Sequence, residues 1–240
     1  MSPAQFSQRS FDDLLARGVE LGRASVRGRY APSPTGPQHL GNMRTALVAW
    51  LQTRLSGGTF VLRMEDIDLP RVVQGSAAQI LDDLRWLGLD WDEGPDVGGP
   101  LGPYDQSARQ ELYVEALNRL EQAGRIYPCY CSRKDVAEAS SAPHGFEGML
   151  AYPGTCRELT PGERARVYEE KGARAPSWRY RVPARRVGVV DEIAGIYEEQ
   201  LEVEVGDFVV RRSDGMFAYQ LGVVVDDALM GITDVVRGVD

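Results

Sequence analysis

The sequence has little cysteine and no long apolar run. Three of its 240 residues are cysteines, and an odd number argues against the disulfide framework of a small secreted protein. No segment approaches the roughly 20 consecutive apolar residues that a membrane-spanning helix needs, and no apolar stretch follows basic residues near the N-terminus. We therefore expect a monomeric cytoplasmic protein that does not contact membranes.

Net positive charge is also missing, because the formal net charge at pH 7 is −8. An acidic chain does not bind nucleic acid through its overall charge, so any RNA contact must come from a local basic face. Arginines cluster between Arg157 and Arg186, where such a face and an ordinary solvated surface are the alternatives. With 43% apolar residues, the chain can form one large domain, or one domain with an insertion.

A turn-rich run delivers a histidine and a glycine to the start of a predicted helix. Residues 29–42 read Arg-Tyr-Ala-Pro-Ser-Pro-Thr-Gly-Pro-Gln-His-Leu-Gly-Asn. Apolar residues then recur at helical spacing, namely Met43, Ala46, Leu47, Trp50, Leu51 and Leu55. Unpaired N–H groups and the positive end of the helix dipole favour an anion such as phosphate at Gly41 and Asn42, and His39 adds a donor. The alternative is a proline-rich loop before an ordinary amphipathic helix.

Three carboxylates follow the next predicted strand. Thr59–Met64 has strand composition and would close a parallel β-α-β unit, whose carboxyl edge is where ligands bind in parallel sheets. Glu65, Asp66 and Asp68 come directly after it. A solvated acidic loop and a Mg²⁺ site are alternatives for this cluster, and a carboxylate also suits an ammonium group.

All three cysteines lie in one stretch that differs in character from the rest. Cys129 and Cys131 are one residue apart, and His144, Tyr152 and Cys156 follow. Paired thiols with further ligands downstream fit a tetrahedral structural zinc, and three ordinary reduced thiols are the alternative. The fourth ligand is open on chemistry alone, since histidine is the better zinc ligand in general.

Turn and capping residues organise the remaining chain. Ser10 and Asp13 can form a capping box at the start of a short amphipathic helix. Two later helices are predicted to end at Gly88 and Gly124. Ser213-Asp214-Gly215 lies between two apolar runs and predicts a hairpin whose second strand would contain Tyr219.

Residues 29–42 resemble the first signature of class I aminoacyl-tRNA synthetases, in the form found in the glutamyl branch. His39-Leu40-Gly41-Asn42 matches the His-Ile-Gly-His motif except at its last position. The resemblance implies an α/β fold, a Rossmann-like catalytic domain with a zinc-bearing insertion. It divides the chain into an N-terminal extension (1–26), two halves of a nucleotide-binding domain (27–127 and 187–240) and the insertion between them (128–186).

The same resemblance implies roles for individual residues. The segment from Arg63 to Arg71 is similar to one in which the glutamate matching Glu65 binds the α-ammonium of the substrate. The implied glutamate-binding residues are Arg29, Ala31, Ser33, Glu65, Tyr219 and Arg237. The implied ATP-binding residues are Pro32, His39, Gly41 and Asn42, of which the last three are the catalytic group. The alternative for Tyr219 is a half-buried aromatic residue in a strand that binds no substrate. The alternative for Arg237 is an ordinary surface residue.

The cysteine pattern is similar to that of glutamyl-queuosine tRNA(Asp) synthetases, a branch of the same family. Their Cys-x-Cys followed by Tyr-x-x-x-Cys favours Tyr152 over His144, so the implied zinc ligands are Cys129, Cys131, Tyr152 and Cys156. The implied reaction is activation of L-glutamate by ATP, with Mg²⁺, and transfer to the queuosine base of tRNA(Asp).

One family motif is missing from this sequence. Class I synthetases carry a second signature with a lysine that stabilises the reacting phosphates, and no Lys-x-Ser-Lys string occurs here. A truncated enzyme and a remnant with impaired chemistry are both compatible with its absence. The other assignments that remain open are the catalytic core of an ordinary glutamyl-tRNA synthetase and a non-catalytic module that binds glutamate or ATP.

Overall fold

The computed structural model describes residues 10–132, 134–136 and 152–238, and these form two compact units. One unit combines the chain up to Ala116 with the chain from Leu221 onward, and the other spans Leu117–Gln220. The elements in chain order are α1 (Phe11–Ala24), β1 (Arg27–Tyr30), α2 (Leu40–Leu55), β2 (Thr59–Leu62), α3 (Ser76–Trp86), α4 (Gln110–Gln122), β3 (Ile126–Cys129), α5 (Pro161–Glu170), β4 (Ser177–Tyr180), β5 (Arg186–Asp191), β6 (Gly195–Gln200), α6 (Leu201–Glu204), β7 (Val209–Arg211) and α7 (Tyr219–Leu229). The four-part division from the sequence stays a prediction.

The first unit is built on a parallel β-α-β arrangement, as the sequence predicts. β1 and β2 pair in parallel, with Arg27 opposite Thr59 and Tyr30 opposite Leu62. Single parallel bridges extend the sheet on both sides, through Asp234 beside β1 and Glu93 beside β2. Both strands are almost wholly buried, as expected of a parallel sheet covered on two faces. Their carboxyl ends lead into the loop of residues 31–39 and into the acidic segment at Glu65.

The buried side of α2 differs from the apolar stripe that predicts the helix. Its buried residues are Ala46, Ala49 and Thr53, whereas Leu47, Leu51 and Leu55 are exposed at 42%, 41% and 86%. Small residues face the sheet because β1 lies very close to the helix. A Cβ built on Gly28 would lie 1.9 Å from the Thr53 Oγ1 atom, so only glycine fits there.

The N-terminal helix is part of the first unit. Ser10 and Asp13 form the predicted capping box of α1, and Leu14 and Gly18 are buried. A Cβ on Gly18 would lie 2.6 Å from the carbonyl oxygen of Leu229. The helix therefore packs closely against the end of α7 and is not a detached appendage.

The second unit contains antiparallel strands. The strand order is β3-β4-β7, and β5 pairs with β6 in a separate two-stranded ribbon. α5 begins with a capping box between Thr160 and Glu163. The apolar core beside the three-stranded sheet includes Tyr127, Cys129, Tyr152 and Cys156. The cysteine stretch is thus interior to this unit.

The predicted hairpin around Ser213-Asp214-Gly215 is wrong in its second strand. The turn is present, because the Arg212 N–H donates to the Met216 carbonyl at 2.8 Å, but pairing stops at the bridge between Arg211 and Phe217. Tyr219 begins a helix instead. The buried residues of α7 recur at helical spacing, namely Leu221, Gly222, Val225, Asp226 and Leu229, and this period outweighs the strand propensity of its valines.

No helix within the described ranges is long and apolar enough to cross a membrane.

Replacing Gly28 by alanine is expected to destabilise the first unit by about 1–3 kcal/mol, because the new methyl group overlaps Thr53. Urea unfolding of the variant measures this cost. Gly162→Ala in the first turn of α5, where no atom lies within 4 Å, is the control and should be neutral or slightly stabilising. Adding Thr53→Ala to Gly28→Ala should recover part of the loss. A fully stable Gly28→Ala protein would contradict the close packing of α2 on β1.

Candidate active site and cysteine cluster

The loop between β1 and α2 is tied down at both ends. The Glu65 N–H donates to the carbonyl of Pro32 at 2.9 Å, which joins the loop to the acidic segment. Farther along, the Ser76 hydroxyl donates to the Gly36 carbonyl at 2.8 Å and accepts from the Gly36 N–H at 3.2 Å. These bonds fix the backbone that presents His39 at the start of α2.

His39 caps α2 and faces solvent. Its Nδ1 atom accepts a hydrogen bond from the Gly41 N–H at 3.2 Å. In the neutral ring the proton then lies on Nε2, which becomes a donor. A Cβ on Gly41 would lie 3.0 Å from the imidazole ring, so glycine leaves room for this cap. The sequence predicts the donor role of His39 but not its second role as a cap.

Asn42 lies in the first turn of α2, beside the end of β1. Its Oδ1 atom is buried and has no hydrogen-bond partner in the protein. Burial raises the pKa of Tyr30 to about 12, and a hydrogen bond from Asn42 partly opposes this shift. A buried polar atom without a partner is unusual, and this one lies near exposed His39.

A fully buried arginine, Arg63, organises the carboxyl edge of β2. Its Nη2 atom donates to Glu65 at 3.0 Å and its Nη1 atom donates to Asp227 at 2.8 Å, and its Nε atom lies 3.7 Å from Asp226. Burial alone would lower the pKa of Arg63, but the charges of Asp226, Asp227 and Glu65 raise it. The guanidinium is therefore permanently charged and surrounded by three carboxylates.

Asp226, on α7, links the same network to α4. It has no exposed surface and accepts hydrogen bonds from Arg109 Nε at 2.6 Å, Gln106 Nε2 at 2.8 Å and the Tyr113 hydroxyl at 2.8 Å. Burial is the main cause that raises the pKa of Tyr113, and the Asp226 charge adds to it. The carboxylate is thus fully compensated in the interior, which is what a buried charge requires.

Arg29 joins this network from β1. Its guanidinium is buried and lies 3.3 and 3.4 Å from the two carboxylate oxygens of Asp227. These distances exceed the roughly 2.7–2.9 Å of a strong charge-assisted bond, so the pairing of Arg29 with Asp227 is a weak one. Its charge also lowers the pKa of Glu65. The structure therefore brings the predicted residues Arg29 and Glu65 together.

Glu65 itself is almost fully buried. Burial raises its pKa above the ordinary carboxyl value, and the charges of Arg63 and Arg29 reduce this shift without cancelling it. The carboxylate would gain from a further cationic partner, such as an ammonium group.

The other predicted substrate residues differ in their exposure. Ala31 is half-buried, and Ser33 and Arg237 are exposed in the first unit. Pro32 is buried and holds the backbone of Glu65. Tyr219, 48% exposed, belongs to the second unit. Their roles in binding stay predictions.

Four residues that bond to the carboxylates of this network were not predicted from the sequence. They are Arg63, Gln106, Arg109 and Tyr113, each in contact with a carboxylate of the network. Of these residues, only Arg63 could have been recognised from the sequence. It is a single charge at the end of an apolar strand, where burial requires an ion pair.

The second unit gathers the three cysteines around Tyr152. All three Sγ atoms lie within 4.8 Å of one another, and Cys131 and Cys156 are 3.7 Å apart. The Tyr152 hydroxyl lies 3.4 Å from Cys129 Sγ and 3.7 Å from Cys131 Sγ. His144, the other predicted candidate, lies outside the described residues.

These spacings fit a four-coordinate zinc ion. Tetrahedral zinc with Zn–S bonds near 2.3 Å and Zn–O bonds near 2.0 Å would separate two sulfurs by about 3.8 Å and a sulfur from an oxygen by about 3.5 Å. The Cys156 N–H donates to the Tyr152 oxygen at 2.8 Å, which supports that oxygen as an electron donor. Hydrogen bonds from Cys131 and Cys156 lower the pKa of the Cys129 thiol, whereas the hydrogen bond with Cys129 raises that of Cys131 and burial raises that of Tyr152. Without a metal ion the cluster therefore favours a single negative charge, on Cys129.

Comparison with known proteins identifies similar chains. The profile of the family described as "tRNA synthetases class I (E and Q), catalytic domain" matches residues 25–240. A glutamyl-Q tRNA(Asp) synthetase of Symbiobacterium thermophilum is 58% identical over 89% of this chain and 65% of its own length. One from Nitratidesulfovibrio vulgaris is 52% identical over 90% of this chain and 66% of its own. The chain therefore spans slightly less than two thirds of these relatives.

Ordinary glutamate–tRNA ligases are also similar to this chain. One from Sulfurihydrogenibium sp. is 47% identical over 89% of this chain and 44% of its own length. The crystal structure of a glutamate–tRNA synthetase from Elizabethkingia anophelis superimposes with a TM-score of 0.76 at 33% identity, covering 88% of this chain and 44% of the other. The α/β catalytic-domain fold predicted from the sequence is confirmed.

Replacing Glu65 by glutamine is expected to stabilise the protein relative to wild type as pH rises above about 4.5, the ordinary pKa of a glutamate. A pKa that is raised in the folded state means that ionisation costs stability, and glutamine avoids this cost. Arg63 keeps Asp226 and Asp227 as partners in the variant. Urea unfolding of both proteins between pH 5 and pH 8 measures the difference.

Glu163→Gln is the control with the opposite sign. The N–H of Thr160 lowers the pKa of Glu163 below 4.5, so this variant should lose stability, relative to wild type, as pH rises toward about 4.5 and should then differ by a constant amount between pH 5 and pH 8. A Glu65→Gln protein whose disadvantage grows with pH would contradict the account of Glu65.

Proposed function

Because the chain belongs to the class I (E and Q) tRNA synthetase catalytic-domain family, we propose that it activates L-glutamate with ATP and transfers it to the queuosine base of tRNA(Asp). One observation carries the proposal. Arg29 and Glu65, which suit an anion and a cation, are linked through Asp227 and Arg63 beside a helix start that favours phosphate.

Glutamate would be bound by charge at both ends. Glu65 accepts hydrogen bonds from the α-ammonium, and Arg29, with Arg237, binds the side-chain carboxylate. An arginine fork matches two carboxylate oxygens, whereas the neutral amide of glutamine offers a single acceptor and no charge. The site therefore favours glutamate over glutamine.

ATP, as its Mg²⁺ complex, is the second substrate. The α-carboxylate of glutamate attacks the α-phosphorus of ATP. The bond between the α-phosphorus and the oxygen that bridges it to the β-phosphorus breaks, and pyrophosphate leaves. His39, through Nε2, and the positive end of the α2 dipole stabilise the negative charge on the phosphates, since the Gly41 N–H is already bonded to the His39 ring. Pro32, Gly41 and Asn42 complete the nucleotide site.

Two observations support queuosine as the acceptor. Three glutamyl-Q tRNA(Asp) synthetases are 58%, 52% and 49% identical to this chain and a fourth is 46% identical, whereas four glutamate–tRNA ligases are 45–47% identical. The Tyr152 hydroxyl also lies on the cysteine cluster, in agreement with the Tyr-x-x-x-Cys pattern of that branch. Within residues 157–186, the exposed Arg166, Arg174, Arg185 and Arg186 would contact the tRNA. Arg157, Arg179 and Arg181 are bonded to groups within the second unit.

We also propose a resident zinc ion, bound by Cys129, Cys131, Tyr152 and Cys156. When bound, zinc supplies structural cross-linking and no chemistry of the reaction. Cys129 ends β3, and Cys131 follows it by two residues, whereas Tyr152 and Cys156 lie in the segment before α5. The ion would therefore join these two parts of the second unit.

Glutamate-dependent, tRNA-independent activation is the expected activity. A chimera that joins this chain to the part of the Symbiobacterium relative that it does not cover should exchange pyrophosphate into ATP with glutamate and not with glutamine. Radiolabelled glutamate transferred by the chimera should stay on tRNA(Asp) after the 3′ terminal adenosine is removed.

Arg29→Met should abolish most of this exchange, because the side-chain carboxylate loses its cationic partner. Arg54→Met, which removes an arginine paired with Asp90 and Asp92 at the surface, is the matched control and should leave it unchanged. Exchange only in the presence of tRNA, or label lost with the 3′ adenosine, would assign the chain to the ordinary synthetases. Glutamate binding without any exchange would favour a non-catalytic module.

The purified protein is expected to contain about one zinc ion per chain, since three thiolates and a phenolate satisfy four-coordination. Elemental analysis after dialysis without chelator measures it. Cys129→Ser should lose the ion, and Tyr152→Phe, which keeps the thiols, should retain it more weakly. Zinc at background level in the wild type, with unchanged stability of Cys129→Ser, would exclude the site.

A further inference from the structure

One arginine contacts two of the four proposed zinc ligands. Arg179 lies on β4 opposite Tyr127 of β3, and Cys129 is two residues beyond Tyr127 on the same face of the sheet. The Arg179 Nε atom donates to Cys129 Sγ at 3.3 Å. Its guanidinium carbon lies 3.8 Å from the centre of the Tyr152 ring. A single side chain therefore bridges the thiol and the phenol from outside the metal position.

The other end of the guanidinium is fixed. Its Nη1 atom donates to the carbonyl oxygen of Asp207 at 2.6 Å. The Asp207 side chain is buried and is bonded to the Tyr127 hydroxyl at 2.6 Å and the Val182 N–H at 2.8 Å. Arg179 is held in one orientation by groups that are not ligands.

The positive charge of Arg179 offsets the negative charge of the proposed ligands. Three thiolates and a phenolate around a divalent ion carry a net charge of about −2. Cys129, Cys156 and Tyr152 are at most 8% exposed, so water offsets little of that charge. A guanidinium against Cys129 and the face of Tyr152 reduces it through a hydrogen bond and a cation–π contact.

We propose that Arg179 is a positioning residue of the metal site, which orients Cys129 and Tyr152 and offsets the negative charge that these ligands bring. This inference rests on the proposed zinc site. In metal sites, partners that bond to the ligands commonly contribute 10–100-fold to metal affinity.

The chain offers a matched control in Arg181. It lies two residues farther along the same face, and its guanidinium lies 4.9 Å from the centre of the Tyr127 ring. It bonds to Glu158 and to the Arg157 carbonyl, both at 2.6 Å. Arg179 and Arg181 thus make the same kinds of contact, but those of Arg181 are not with the proposed ligands.

Zinc affinity, measured by competition with a chromogenic chelator, tests the inference. Arg179→Met should raise the dissociation constant about 10–100-fold, Arg179→Lys should raise it less because the charge remains, and Arg181→Met should leave it unchanged. With Co²⁺ in place of zinc, the thiolate-to-metal absorption should change in Arg179→Met and not in Arg181→Met.

Thermal unfolding separates this role from a merely structural one. Zinc stabilises the folded state by an amount that grows with the logarithm of its affinity, so the zinc-induced rise in Tm should shrink in Arg179→Met and stay at the wild-type size in Arg181→Met. An equal loss of Tm with and without zinc, or wild-type zinc affinity in Arg179→Met, would overturn the inference while leaving the zinc site intact. A wild-type protein that binds no zinc would overturn both.

Discussion

The buried charge of Arg63 is the constraint on which the candidate active site depends. An arginine without access to water must be paired, and Glu65, Asp226 and Asp227 surround it. Because Asp226 is bonded in turn to Arg109 and Tyr113, the carboxyl edge of β2 is tied to α4 and α7. The positions of Glu65 and Arg29 are consequences of this network, so both groups are placed before a substrate arrives. The raised pKa of Glu65 is the cost of that placement.

The second unit has a polar centre of another kind. Thiols and a phenol occupy the middle of its core. A core of purely apolar side chains would be stable at this position without any bound ligand. A bound zinc ion would turn these groups into a cross-link between β3 and the segment before α5. Buried polar groups are therefore held by fixed ion pairs in the first unit, and the second unit adds a cluster of thiols and a phenol whose spacing is consistent with a zinc site.

Local patterns predicted much of this architecture, and long-range contacts explain most of what was missed. The strand, loop, helix and strand from Arg27 to Leu62 follow from periodicity and turn residues, and the cysteine cluster follows from spacing. The buried side of α2 depends on Gly28 lying against Thr53, and the pairing of Arg179 with Cys129 depends on the register of β3 and β4. The turn at Ser213-Asp214-Gly215 between two apolar runs predicts a strand that contains Tyr219, whereas the burial of Leu221, Val225 and Leu229 fixes a helix.

The central claim is that one ion network holds a cation-binding carboxylate and an anion-binding arginine for the two ends of glutamate. A crystal structure with a non-hydrolysable glutamyl-adenylate analogue tests it most directly. The account predicts the α-ammonium at hydrogen-bond distance, about 3 Å, from Glu65, the side-chain carboxylate on Arg29, and Arg63 still bonded to Glu65. An ordered analogue whose ammonium contacts neither Glu65 nor any other member of the network would contradict it.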